Sequence, residues 1–402
     1  MLHPLGVIRT AVLMVAALPL LYYALATFAG LRFFSAERAK NLEPYTPPVS
    51  VLKPVRGVDF GSYENFASFC RQDYPEYEIL FAVNEETDAA VPLVRQLIAE
   101  FPERPIRLLI GAKQIGANRK VNKLVRMARE ASHGVLVLTD GDVRVGPNFL
   151  REVVAPLAKP SVGAVTCFYR GVARRNFWAE LEALGTATDF APSVLIANWL
   201  EGVRFGLGAA IATSKPWIER IGGLEPIASM HSDDYELGYR IAKAGGTVQL
   251  SREAVETMYP AESFAGFWHH QIRWARTVRL SRPWSFAGLI FTHGLPWAIA
   301  AAVLGRSTAI AAAYLGAYVL LRLAMGWTVG VWGIGDQVAR RKLWLVPLRD
   351  AVHFMVWVAS FGSNRIHWGG RVFAMQKGWM AEIDNARSTA AATAVDDMWH
   401  NR

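Results

Sequence analysis

The stretch VLVLTDGDVRV, residues 135–145, decides how this chain is read. Val135, Leu136, Val137 and Leu138 are apolar and Thr139 closes the run, which suits a short strand buried on both faces. Asp140 and Asp142 follow at once, separated only by Gly141. Two carboxylates at the end of a buried strand repel each other unless a cation lies between them. A D-x-D there can hold Mg²⁺ or Mn²⁺, hard cations that prefer oxygen ligands; the same triplet also occurs in ordinary surface turns. Gly141 lets the backbone turn tightly and a ligand approach closely.

Working outward, VSVLK (49–53), ILFAV (79–83) and IRLLI (106–110) are further short apolar runs. Helical patterns lie between them. Val94, Leu97 and Ile98 share one face, as do Val121, Leu124, Val125 and Ala128. This alternation predicts an α/β domain with a mainly parallel, doubly wound sheet. Open sheets of that kind bind ligands beyond their C-terminal strand ends, where Asp140 falls. No G-x-G-x-x-G follows the first strand, which argues against a dinucleotide-dependent oxidoreductase.

Of 402 residues, 52% are hydrophobic and only 19% charged, against about a quarter charged in soluble proteins. The apolar excess comes in blocks. Residues 10–31 carry no charge and are long enough to span a bilayer. Arg9 flanks one end, and Arg32, Arg38 and Lys40 the other, so the following domain is expected in the cytoplasm (at the inner membrane, if bacterial). The segment is too long for a signal-peptide core and lacks a clear cleavage site, which reads as an uncleaved anchor. Residues 284–305 and 307–334 are two further spanning candidates. Basic Arg273, Arg276, Arg279 and Arg282 precede them and Arg340, Arg341 and Lys342 follow. Arg322, inside the second, is expected to face protein or to snorkel. Residues 343–361 carry Arg349 and Asp350, and a crossing there would put Arg365, Arg371 and Lys377 outside. An interfacial or partly inserted segment is the preferred reading. The expected divisions are an anchor (1–40), a cytoplasmic catalytic domain (41–283) entered through the proline-bearing linker NLEPYTPP (41–48), C-terminal transmembrane or interfacial helices (284–380) and a disordered tail (381–402).

The net charge of +9 points to an anionic membrane surface and a phosphorylated substrate. No finger, recognition-helix or RNA-binding signature supports a nucleic-acid partner. Cys70 and Cys167 form neither a C-x-x-C pair nor a metal spacing, in keeping with a reducing compartment.

Three more stretches can carry chemistry. Asn118-Arg119-Lys120-Val121-Asn122-Lys123 follows Gly116 at a predicted helix start, where free N–H groups and Lys120 or Arg119 could meet a phosphate; a solvated basic helix face is the alternative. SDDYELGYRIAKAGG (232–246) offers Ser232 as a cap, Asp233 and Asp234 in the first turn, and Gly245 as a stop. Its acids either stabilise the helix dipole or supply a general base. In HHQIRWART (269–277), Arg273 could pair with phosphate and Trp274 could wall a sugar or lipid pocket, unless both belong to an interfacial belt.

Taken in order, YENFASFCRQDYPEYEILFAVNEETD, KVNK, TDGD, SDDYELGYRI and IRW resemble the motifs of family 2-type inverting glycosyltransferases. With SVLKPVRG (50–57), the anchor and the C-terminal spans, the layout most resembles the ceramide glucosyltransferase group, including bacterial relatives that glycosylate hopanoids. The resemblance covers residues 49–274 by motif and the rest by architecture. It implies a GT-A, Rossmann-like catalytic domain, a UDP-sugar donor (glucose-like or N-acetylglucosamine-like), Mg²⁺ or Mn²⁺ on Asp140 and Asp142, and Asp234 as catalytic base. Donor contacts are implied for Pro54, Glu85, Lys120, Asn122, Asp140, Arg273 and Trp274. Glu85 stands where the family usually has aspartate, and His270 where it has Gln or Arg. The histidine expected mid-domain in ceramide enzymes is absent near Thr188-Asp189-Phe190. The implied reaction moves one sugar to a membrane lipid hydroxyl, as on ceramide or a hopanoid. A processive polysaccharide synthase and a non-catalytic nucleotide-sugar binding protein are the competing readings.

Overall fold

A computed structural model describes residues 4–36, 45–174, 176–368, 371–376 and 378–383. Arg38, Lys40, Lys377, the start of the expected linker (41–44) and most of the expected tail (384–402) lie outside the described residues.

The four apolar runs form β1 (Val49–Pro54), β2 (Tyr77–Val83), β3 (Ile106–Ile110) and β4 (Val135–Thr139). They pair in parallel in the order β3-β2-β1-β4, with Val51 beside both Ile79 and Val137. Side chains alternate across this sheet. Val49, Val51, Ile79, Phe81, Val135 and Val137 face one apolar core, shared with Phe66, Phe69, Val94 and Leu97. Leu52, Leu80, Leu136 and Leu138 face the other, shared with Val121, Leu124 and Val125. Ile98 belongs to neither and is exposed.

Beyond β4 the sheet departs from the parallel expectation. It continues through β5 (Val143–Arg144), β6 (Val162–Ala173), β7 (Ala210–Ser214) and β8 (Thr247–Tyr259), in the full order β3-β2-β1-β4-β7-β6-β8-β5. β7 runs antiparallel to β4, Ala210 opposite Thr139 and Ser214 opposite Val135. The chain therefore enters β7 at the rim where Asp140 leaves β4, and both ligand-facing ends coincide.

Two helices, Gly6–Ser35 and Thr308–Gly333, are long and apolar enough to cross a membrane. The first is fastened to the sheet where Phe33 and Phe34 pack on Phe168 of β6. The expected span at 284–305 is not one straight helix. It comprises Pro283–Thr292 and Gly294–Leu304, bent by 47° at His293. Irregular backbone is tolerated at membrane depth only where protein satisfies it. Tyr23 does so here: its hydroxyl accepts the Gly294 N–H (2.9 Å) and donates to the Thr292 carbonyl (3.1 Å).

The helix Val346–Ser360 has 15 residues, about 22 Å long, short of the roughly 30 Å core of a bilayer. It buries Arg349, Asp350, Val352 and Val356 and exposes Leu348, Met355 and Val358. After it comes an element that periodicity did not single out: the antiparallel sheet β9 (Arg365–Trp368), β10 (Arg371–Gln376) and β11 (Trp379–Glu382). Ala381 and Glu382, assigned to the tail, thus belong to a strand. This sheet docks beside His231, whose N–H donates to the Gly378 carbonyl at 3.1 Å.

Candidate active site

A cavity of about 1490 Å³ opens beyond the ends of β1 and β4. Pro54, Lys120, Asp140, Asp142, Asp234, Arg273 and Trp274, all singled out in the sequence, line it. Glu85 does not: it is exposed, and its neighbour Asn84 takes the lining position. Asn122 is buried behind the wall. Its Oδ1 accepts the N–H groups of Ile115 (3.2 Å) and Gly116 (3.1 Å), and its Nδ2 donates to the Gly116 carbonyl (2.9 Å). It holds the loop rather than facing the cavity.

Within this chain the cation at the D-x-D is Lys120. Its Nζ lies 2.6 Å from Asp140 Oδ1 and 3.0 Å from Asp233 Oδ2. Burial works against that charge, yet Asp140, Asp233 and Asp234 together hold the Lys120 pKa well above its usual range. Lys120 lies in the first turn of the helix Arg119–Glu130, whose N-terminus is not free for an anion as expected. Asn118 Oδ1 already accepts the N–H groups of Lys120 (3.0 Å) and Val121 (3.2 Å). Asn118 Nδ2 also donates to Asp233 Oδ1 (3.2 Å), joining this helix to Asp233–Lys243. Ser232 occupies the cap position of the latter helix, but its hydroxyl faces that of Ser281 at 3.2 Å instead of capping.

Sequence reasoning missed Lys53, the fully buried lysine of β1. Its Nζ donates to the carbonyls of Asp140 (2.8 Å) and Val143 (3.1 Å) and lies 4.2 Å from the Phe69 ring centre. Burial lowers its pKa to about 7 although Asp142 and Asp140 oppose this. Lys123 similarly donates to the Val55 carbonyl at 2.6 Å. A lysine inside an otherwise apolar, doubly buried strand was the available signal.

Two glycines were also missed. Gly206 and Gly238 pack backbone to backbone, so the helix carrying Asp234 can rest on the loop before β7. A Cβ on Gly208 would lie 2.8 Å from Asp234 Oδ2 and 3.6 Å from Asp140 Oδ2. The two carboxylates therefore face the same bare glycine. Gly141, by contrast, would accommodate a Cβ at ordinary distances of 3.5 Å or more, so the turn itself does not demand glycine.

Burial and the adjacent Asp233 push the Asp234 pKa up to about 7. Asp142 is raised to about 6 by burial and by Asp140. Carboxylates in that condition suit a site that receives a cation or a proton. Among the described residues no group of three His, Cys, Asp or Glu could hold a metal. Two carboxylates facing an open cavity nevertheless fit Mg²⁺ or Mn²⁺, which take one or two protein carboxylates and complete their shell with substrate phosphates and water.

The far wall is the helix Phe264–Ser281. Trp274 packs on Tyr169, Tyr259 and His270. Arg273 makes no ion pair with a described residue and lines the cavity. His270 is bound to the buried carboxylate of Glu182, which also accepts from Gln271 Nε2 at 3.1 Å. His270 thus pairs with protein, at the position where Gln or Arg is usual.

This architecture is that of a GT-A glycosyltransferase. A mannosyltransferase from Pyrobaculum calidifontis, solved with GDP-Man and Mn²⁺, superposes with a TM-score of 0.52 at 18% identity, over 88% of this chain and 99% of that one. The sequence profile of Glycosyl transferase family 21 matches residues 11–381, and the chain belongs to that family. Among its relatives are ceramide glucosyltransferase 1 of Caenorhabditis elegans, 26% identical over 58% of this chain and 50% of that protein, and the ceramide glucosyltransferase of Gibberella zeae, 27% identical over 37% and 30%. The chain spans half or less of the length of these two relatives.

Proposed function

We propose that this chain is a membrane-bound inverting transferase that moves one sugar from a UDP-sugar to the hydroxyl of a membrane lipid at the cytoplasmic face. The observation that carries this reading is the convergence on Gly208. There a D-x-D aspartate and a carboxylate raised to a base-like pKa meet, inside a cavity continuous with the apolar helices. The relatives named as ceramide glucosyltransferases support a lipid acceptor, and the mannosyltransferase with bound GDP-Man and Mn²⁺ supports a nucleotide-sugar donor with a divalent ion.

In this reading Asp140 and Asp142 hold Mg²⁺ or Mn²⁺, which would neutralise charge on the donor diphosphate. Lys120 and Arg273 add positive charge toward the same group. The Asp234 carboxylate accepts the proton of the lipid hydroxyl as its oxygen attacks the anomeric carbon. The bond from that carbon to the UDP oxygen breaks as the new bond forms on the opposite face, so the configuration inverts.

Asp234→Asn tests the assignment. Transfer should fall by at least about 10³-fold, within the range for a lost general base, while calorimetric UDP-sugar affinity stays within about twofold. Full transfer activity in the variant would refute the role.

A further inference from the structure

The C-terminal sheet runs in the order β11-β10-β9. β11 is therefore an edge strand, whose outer N–H and C=O groups can take a further strand. Residues 229–231 occupy that edge. Met230 pairs antiparallel with Trp379. The Met380 N–H donates to the Ser229 carbonyl at 2.9 Å, and the His231 N–H donates to the Gly378 carbonyl at 3.1 Å. The other side of the same segment is held by the loop that leads into the Lys120 helix. There the Asn118 N–H donates to the Ala228 carbonyl (2.8 Å), Asn118 Nδ2 to the Met230 carbonyl (2.9 Å) and the Ala117 N–H to Ser229 Oγ (3.4 Å). Residues 228–231 are thus clamped between that loop and a sheet that follows the last apolar helix.

Directly after this clamp comes the helix Asp233–Lys243. It has no side-chain cap, because Ser232 turns to Ser281 instead. A helix whose first N–H groups lack a cap frays from that end, and here that end carries Asp234. Lys120 and Asn118 hold the side chain of Asp233. The Asp234 carboxylate instead accepts from the backbone N–H of Tyr235 in its own helix, so its position follows that of the helix start. The sheet that braces this start is itself fastened on two sides. Ile366, Phe373, Met375 and Met380 form a small apolar core with Ala117 and with Leu280 of the Phe264–Ser281 helix. The Trp368 and His231 rings meet edge to face at 5.2 Å. Arg276 donates to the Arg365 carbonyl (2.6 Å) and Arg279 to the Ser363 carbonyl (2.9 Å). Trp368 and Phe373 also line the cavity.

We propose that the C-terminal sheet is a positioning element for the reaction. By adding residues 229–231 to β11 it fixes where the helix Asp233–Lys243 starts, and so sets the Asp234 carboxylate opposite Asp140 across Gly208. The inference rests on the transferase reading, in which Asp234 is the base, and adds to the site an element from beyond the apolar helices.

The test removes one N–H. In Met380→Pro the lost donor is the one that points at Ser229, and proline is tolerated on an edge strand. Met380→Ala keeps that N–H and loses only the buried side chain. Both variants are made in the full chain in detergent and read by kcat, by calorimetric UDP-sugar affinity and by hydrogen exchange of single amides. In the parent, the His231 and Met380 amides should exchange slowly. Met380→Pro should speed exchange at His231 and in the first turn of the Asp233–Lys243 helix. It should lower kcat at least about tenfold, toward the roughly 10²-fold cost of a displacement on the order of 1 Å, with UDP-sugar affinity within about twofold. Met380→Ala should lower the melting temperature, cost far less kcat and leave the His231 amide slow. Fast exchange of His231 and Met380 in the parent would overturn the proposal whether or not the variants fold. So would a Met380→Pro protein with parental kcat and exchange, or equal losses of kcat in the two variants, which would reduce the sheet to packing. A parent that transfers no sugar would refute the transferase reading instead, and exchange alone would then judge whether β11 sets the helix start.

Discussion

The role proposed for Asp234 rests on its neighbours. In a first helical turn exposed to water it would be an ordinary carboxylate that favours the helix dipole. Buried beside Asp233, it holds a proton up to about pH 7. A base acts only when deprotonated, so kcat/KM should rise with pH below about 7 and level off above it. A rate flat from pH 5 to 8 would contradict this. Lys120 is the counterweight to three carboxylates. Lys120→Met should lower donor affinity and transfer at least about tenfold, since it leaves Asp140 and Asp233 without their cation; titration of UDP-sugar binding checks it. Gly208→Val should place a side chain between the two aspartates. Transfer should drop about 10²-fold, the cost of a displacement on the order of 1 Å, with thermal stability largely retained. At this scale Asp140, Asp142 and Asp234 were legible because acids beside apolar runs stand out in a one-dimensional pattern. Lys53, Gly208 and Glu182 were not. Their roles depend on neighbours 87, 26 and 88 residues away, which no spacing rule reports.

At the scale of elements, the apolar runs located β1 to β4 nearly to the residue, because strands packed between two layers are mostly apolar, with few polar positions (Ser50, Lys53, Glu78, Arg107) to interrupt them. The reversal at β7 was hidden: direction is set by where the chain enters a strand, and Ala210–Ser214 reads the same either way. The break at His293 was hidden too, since hydropathy measures composition and not continuity. Tyr23→Phe should expose its consequence. Losing the hydroxyl orphans one donor and one acceptor at the break, so stability in detergent should fall by about 1–3 kcal/mol, read as a lower melting temperature. Arg322→Met should cost more, about 3–5 kcal/mol, because it leaves Asp189 and Asp350 buried without their partner. Its charge inside an apolar span was visible in the sequence. Its partners, on segments far away in the chain, were not.

For the whole molecule, the aspartate end of the cavity belongs to the sheet and its other end to the helices that pack beneath it. The anchor joins the two, gripping β6 through Phe33 and Phe34 and the bent helix through Tyr23. That arrangement suits a reaction between a water-soluble donor and a lipid that never leaves the bilayer. The most direct measurement is mass spectrometry of the lipid product formed by the purified full chain with Mn²⁺, labelled UDP-glucose or UDP-N-acetylglucosamine, and membrane lipids. A membrane lipid should gain the mass of one sugar, with inverted configuration at the anomeric carbon, and Asp234→Asn should yield none. A polymer, a product of retained configuration, or release of free sugar with every lipid unchanged would contradict it.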